Sequence, residues 1–203
     1  MPITIAVAIP TIGRPSLMRA LQAIASQMLL SGDEVFVVKD THTLPKDDQE
    51  LKASVESFGP QFKYLEHDAG LSFKGVFQTN LAFKLAKADL VLAHSDDDVF
   101  TEGAFSRLRW LAEGHPNRPI VFRTVSPRGN VTWYDGQPGL RRHSLGGGSL
   151  AAPRCFLKPF HYPCEGIDYY WVCEVLALAA ASGHLPIWTD EILMRSRNRE
   201  RRT

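Results

Sequence analysis

The chain has 203 residues, 44% of them hydrophobic and 22% charged, with a formal net charge of +1. That length suffices for a packed core in one large domain, and that composition is ordinary for a soluble globular protein. A charge so near zero excludes any global pull toward nucleic acid or a membrane surface.

Ile3-Thr-Ile-Ala-Val-Ala-Ile9 is a short apolar run rich in β-branched residues and stopped by Pro10, which predicts a buried strand. Residues 15–28 follow with Leu17, Met18, Leu21, Ile24, Ala25 and Met28 spaced along one helix face, Pro15 suiting the first helical position. Glu34-Val-Phe-Val-Val38 reads as a second buried strand, ending at Lys39-Asp40. A helix over 47–57, a short strand over 62–65, a helix over 77–86 and a strand over 90–93 come next.

Three carboxylates, Asp96, Asp97 and Asp98, close that last apolar run. Charge buried within a strand is expensive, so such a cluster belongs just past the strand, where solvent or a cation can neutralise it. Asp96 and Asp98, two apart, lie on one side of an extended segment and suit Mg²⁺ or Mn²⁺. The plainer alternative is a helix cap, with Asp97 or Asp98 preceding a helix that starts near Thr101.

Strand and helix thus alternate through about the first 110 residues, which calls for an α/β fold: a mostly parallel central sheet with helices on both faces. Ligands of such sheets bind beyond the carboxyl ends of the strands. Thr11 to Arg14, Asp40 and Asp96 to Asp98 all fall at those ends.

The second half changes character. Residues 120–124 read as a strand, and 126–149 are rich in Gly, Pro and Arg, with Trp133 and Tyr134 among them. Long loops in compact domains are usually functional or mobile; Trp133 suits either a sugar platform or loop packing. A helix over 165–182 closes at Gly183, and 185–188 form the last expected strand. Arg195, Arg197, Arg199, Arg201 and Arg202 make a basic tail of residues 195–203. It reads as a solvated end or, more pointedly, as one that grips phosphate or contacts nucleic acid.

Cys155, Cys164 and Cys173 are odd in number and lack C-x-x-C spacing, which indicates neither a full disulfide framework nor a zinc site and predicts reduced thiols. No apolar run reaches the ~20 residues of a bilayer span and no charged-then-apolar leader opens the chain, so a soluble, cytoplasmic protein is expected.

The segment from Ala8-Ile-Pro-Thr-Ile-Gly-Arg-Pro to Gln27, with Asp40, Asn80 and Asp96-x-Asp98 after it, resembles nucleotide-sugar-dependent glycosyltransferases of the GT-A fold. It is closest to the large inverting family 2, which includes cellulose and chitin synthases. The resemblance covers residues 3 to 105 well and the remainder loosely.

The resemblance implies a single GT-A domain over 1–194, with a nucleotide-sugar half (1–110) and an acceptor half (111–194). It implies a metal-dependent, inverting hexosyltransferase acting on a nucleoside-diphosphate sugar. Pro10, Thr11 and Arg14 would line the base and ribose pocket and Asp40 would contact the base, Asn80 and Asp97 belonging to the same site. Asp96 would lie near the ribose and the metal, and Asp98 would bind the Mn²⁺ or Mg²⁺ that bridges the diphosphate.

The general base of the family is one of an acidic pair before a late helix, and its usual position here is Gly166. Glu165 and Asp168 remain as candidates, at a spacing that faces one cleft. The family's late His is absent; Arg195 or Arg197 can replace it against phosphate. These departures leave an alternative open: a catalytically inactive GT-A-like nucleotide-sugar-binding or interaction module. The acceptor stays open among a saccharide, a lipid carrier, a protein and a modified DNA base.

Overall fold

The computed structural model describes residues 2–42, 47–68, 75–132, 147–160 and 167–196. Four strands of the first half, β1 (Ile5–Thr11), β2 (Glu34–Asp40), β3 (Phe62–His67) and β4 (Leu90–Ala93), pair in parallel in the order β3-β2-β1-β4. Helices α1 (Ser16–Ala25), α2 (Gln49–Glu56) and α3 (Val76–Leu85) make the crossovers. Beyond β4 the sheet continues through β7 (Leu150–Pro153), β6 (Ile120–Val125), β8 (Ile187–Ser196) and β5 (Asp98–Phe100). Here only β6 and β8 are parallel; β4–β7, β6–β7 and β5–β8 run antiparallel.

Side chains of a strand alternate between faces, and β1 divides the core accordingly. Ile5, Val7 and Ile9 meet Leu17, Leu21 and Ile24 of α1 and Phe105 and Leu108 of α4 (Ala104–Gly114). Ala6 and Ala8 face the other way, toward Val76 and Phe83 of α3 and Trp171, Val172 and Val175 of α5 (Ile167–Ala181). Helices therefore cover both faces, as the alternation predicts. Each fully buried Leu or Ile contributes roughly 1.5–3 kcal/mol, so α1 is held mainly by that stripe.

Two local details shape the site. β1–β4 pairing stops at Ala8 and Ala93, with His94 N–H donating to Ala8 O at 2.9 Å, so Pro10 removes no ladder bond on that side. Gly75 caps α3 at φ +74°, and a Cβ there would lie 2.4 Å from Pro10 Cβ, so only glycine fits.

Three expectations are corrected. No helix begins near Thr101: β5 occupies Asp98–Phe100 and α4 starts at Ala104 behind Gly103, so neither Asp97 nor Asp98 caps it. The last strand is Ile187–Ser196, far longer than 185–188, because Asp190 and Glu191 break its apolar pattern at a bulge against β6. Arg195 consequently pairs with Val99 and Val125 inside the sheet. Residues 197–203, Trp133, Tyr134, Cys164, Glu165 and Gly166 lie outside the described residues.

Among the described residues no helix is long and apolar enough to cross a membrane.

Candidate functional site

The strand order turns back between β1 and β4, and this is the topological switch point where open α/β sheets bind ligands. The loops leaving the two strands meet there. Thr11 Oγ1 donates to Asp96 Oδ2 at 2.8 Å, and Arg14 Nη1 donates to Asp96 Oδ1 at 2.9 Å. Gly13 N–H in turn donates to Thr11 Oγ1 at 2.9 Å, holding the turn that presents Arg14.

Asp96 is 3% exposed, whereas the Arg14 side chain is 40% exposed. Burial pushes the Asp96 carboxyl above its ordinary range, against the opposing pull of the Thr11 hydroxyl and the Arg14 guanidinium. A carboxylate offers about four lone-pair sites, so the two donors leave Asp96 spare capacity.

The loop from His94 to Asp98 is built on an interior histidine. His94 is buried and stacks on Phe100 at 4.5 Å with the rings 13° apart. Burial pushes its pKa down to about 4, so the ring is neutral at pH 7. Its Nε2 faces Asp98 O at 3.2 Å; a carbonyl can only accept, so Nε2 carries the proton. Nδ1 is buried and has no partner among the described residues. Ser95 Oγ donates to Asp97 Oδ1, and Asp98 N–H reaches Ser95 O at 3.4 Å. Asp97 is buried and Asp98 half-buried.

Asp40 ends β2 one residue past Lys39, the register partner of Thr11, so it borders the same crevice. It is 4% exposed and its Oδ1 accepts from His42 N–H at 2.9 Å. Pro10 lines the crevice against Gly75. Asn80 is turned elsewhere: its Nδ2 donates to Phe160 O at 2.8 Å and its Oδ1 accepts from Phe160 N–H at 2.7 Å. Asp168 is the second residue of α5.

The structure thus joins Thr11, Arg14 and Asp96 by direct bonds. It brings Asp97, Asp98, Asp40 and Pro10 to the same edge and directs Asn80 to the α5 side. His94 escaped notice in the sequence; one polar residue among Ala93 and the aspartates was its only signal.

Among the described residues no three His, Cys, Asp or Glu side chains gather into a ready-made metal site. Mg²⁺ and Mn²⁺ sites that serve phosphate chemistry take one or two carboxylates and leave the rest to substrate and water. Asp98 and Asp96 fit that share.

No family model and no curated protein matches the chain. Solved structures do. S. aureus TarS 1–349 in complex with UDP-GlcNAc superposes at a TM-score of 0.72 with 18% identity, over 98% of this chain and 59% of that one. A second structure of the same TarS fragment gives 0.71 with 16% identity, over 96% and 60%. The mannosyltransferase PcManGT from Pyrobaculum calidifontis, in complex with GDP-Man and Mn²⁺, gives 0.65 with 15% identity, over 98% and 58%. The chain therefore spans less than two thirds of each. What these likenesses share with it is the architecture, and the chain has the GT-A fold.

Proposed function

We propose that this chain is a glycosyltransferase that moves a sugar from a nucleoside-diphosphate donor to an acceptor hydroxyl, with a divalent cation and inversion at the sugar carbon. The observation that carries this reading is the Thr11–Asp96–Arg14 constellation at the β1–β4 switch point of a GT-A fold. Neighbours of that fold hold UDP-GlcNAc or GDP-Man with Mn²⁺.

Asp40 and Pro10 bound the end of the crevice where a base would sit, and Asp96, fixed by two donors, faces the ribose. Among the described residues Arg14 has one bond, to Asp96, and its side chain is 40% exposed, which leaves donors for a phosphate oxygen. Asp98 and Asp96 would hold the cation, whose chemistry is to neutralise charge developing on the departing diphosphate. The neutral His94 holds the Asp98 carbonyl, and so the backbone of that ligand, in place.

On the acceptor side Asp168 or Glu165 takes the proton of the attacking hydroxyl. The new C1–O bond forms as the C1–O bond to phosphate breaks, and the nucleoside diphosphate leaves with the electron pair.

Calorimetric titration with UDP, GDP, TDP and CDP, with and without Mn²⁺, tests the reading on the wild type and on Asp98→Ala. Metal-dependent binding of one nucleotide, lost in the variant, is the expected result. No binding under any condition sinks it, and binding without turnover of the matching nucleotide sugar leaves an inactive nucleotide-binding module.

A further inference from the structure

Asn80 commits both halves of its amide to the backbone of one residue, the N–H and C=O of Phe160, at 2.7 and 2.8 Å. Three buried rings close over that joint. Phe83, three residues along α3 and so on the same helix face, stacks on Phe160 at 5.8 Å and on Trp171 at 5.4 Å. Phe160 stacks on Trp171 at 4.9 Å. Trp171 Nε1–H also donates to Lys158 O at 2.8 Å. Residues 158–160 are therefore gripped from α3 by an amide and from α5 by an indole.

Both ends of this grip reach toward chemistry. The helix that carries Asn80 begins at Gly75, packed on Pro10 at the rim of the donor crevice. Trp171 stands three residues after Asp168 in α5, so pinning the indole fixes the turn on which both residues sit. A side-chain amide that pairs with a buried backbone N–H and C=O is a rigid joint, since leaving either group unpaired is costly.

We propose that Asn80 is a positioning residue for the acceptor side: acting through Phe160 and Trp171, it sets the first turn of α5 against the β1–β4 crevice. This rests on the transferase reading above. It gives Asn80 a different task from the nucleotide contact that the family resemblance implies. Donor affinity should not depend on it, and turnover should.

Donor hydrolysis isolates the two quantities, because water then serves as acceptor. The C1–O bond to phosphate breaks, a C1–O bond to water forms, the α5-side carboxylate takes the water proton and the nucleoside diphosphate leaves. The probes are UDP-GlcNAc and GDP-Man with Mn²⁺, and the readout is nucleoside diphosphate released by the wild type, Asn80→Ala and Trp171→Phe.

For Asn80→Ala, kcat is expected to fall at least about tenfold while KM for the donor stays within about twofold, the signature of misplaced geometry. Trp171→Phe keeps an aromatic ring in the stack but loses the bond to Lys158 O. It should show the same split, smaller in size, and it carries the test should Asn80→Ala fail to fold.

A raised donor KM with unchanged kcat would put Asn80 in the donor pocket and overturn the inference alone. No change in either constant overturns it as well. A wild-type chain that binds none of UDP, GDP, TDP and CDP overturns the transferase reading first and this inference with it. Wild-type binding without sugar release leaves no acceptor chemistry to position and also overturns it.

Discussion

Two buried aspartates, each paired with an arginine, sit at opposite ends of the same sheet and differ in what is left over. At the amino ends of the strands Asp33 accepts from Ile5 N–H at 2.8 Å, from Leu30 N–H at 2.7 Å and from Arg109. Arg109 donates further to Ile3 O and Met28 O, each at 3.0 Å, and is itself buried. At the carboxyl ends Asp96 is as buried as Asp33, yet its partner Arg14 makes one bond among the described residues and stays 40% exposed. The first pair is closed, with its hydrogen-bonding capacity consumed inside the protein. The second is open on its cationic side. A buried ion pair by itself is weak evidence for a site; unspent donors at a strand's carboxyl end are what separate these two.

The largest way to break this comparison is Asp33→Ala. It strands a buried guanidinium and should cost about 3–5 kcal/mol in urea unfolding, with nucleotide affinity of the folded protein unchanged. Altered affinity would mean that the two ends are not independent.

The open end carries its own pH signature. His94 is held near 4 in the fold against an ordinary value of 6.5. Between those limits the unfolded chain binds a proton that the folded chain refuses. Stability therefore rises with pH across this window and is lost as pH falls through it. The contribution is about 3 kcal/mol. Chemical denaturation of wild type and His94→Gln at pH 4.5 and 7 should show the slope shrink in the variant.

Arg14→Ala sharpens the contrast directly. Its pair is half solvated, so stability should move by less than about 1 kcal/mol. Binding of a nucleoside diphosphate should weaken about tenfold, near the 1.4 kcal/mol of one charge-assisted hydrogen bond. A stability loss like that of Asp33→Ala, with binding untouched, would make Arg14 structural too.

The smallest effect belongs to Glu34, at the closed end. Burial raises its pKa, but Lys63 and the N–H groups of Lys87 and Ala88 outweigh that and hold it below its ordinary 4.5. That stabilisation is present above the unfolded value and disappears as pH falls through the folded one. Glu34→Gln should cost about 1 kcal/mol at pH 7 and nothing in strong acid, as read from acid-unfolding curves.

The parallel half was legible because its signals are local. β-branched runs, one-faced helices and turn residues each announce themselves within a dozen positions, and Thr11, Arg14, Asp40 and Asp96 to Asp98 follow from where the strands stop. The antiparallel half hid for identifiable reasons. β5 has three residues led by a carboxylate, too short for any period, and its partner lies in β8. Helix α4 inverts the usual pattern: Arg109 is buried, while Trp110 is 61% exposed beneath Arg107 at 4.1 Å. The Asn80–Phe160 joint spans eighty positions and has no sequence signature at all.

The placement of β5 also bears on how the protein is made. The strand that begins with Asp98 is bonded to the sheet through β8, where Asp98 faces Ser196 and Phe100 faces Met194. A ribosome adding ~5–20 residues per second needs several seconds to pass from one to the other. During that interval the first four strands can pair while Asp98 waits without its neighbour, so a nascent chain can form the β1–β4 crevice before the strand that fixes Asp98 beside it has been made.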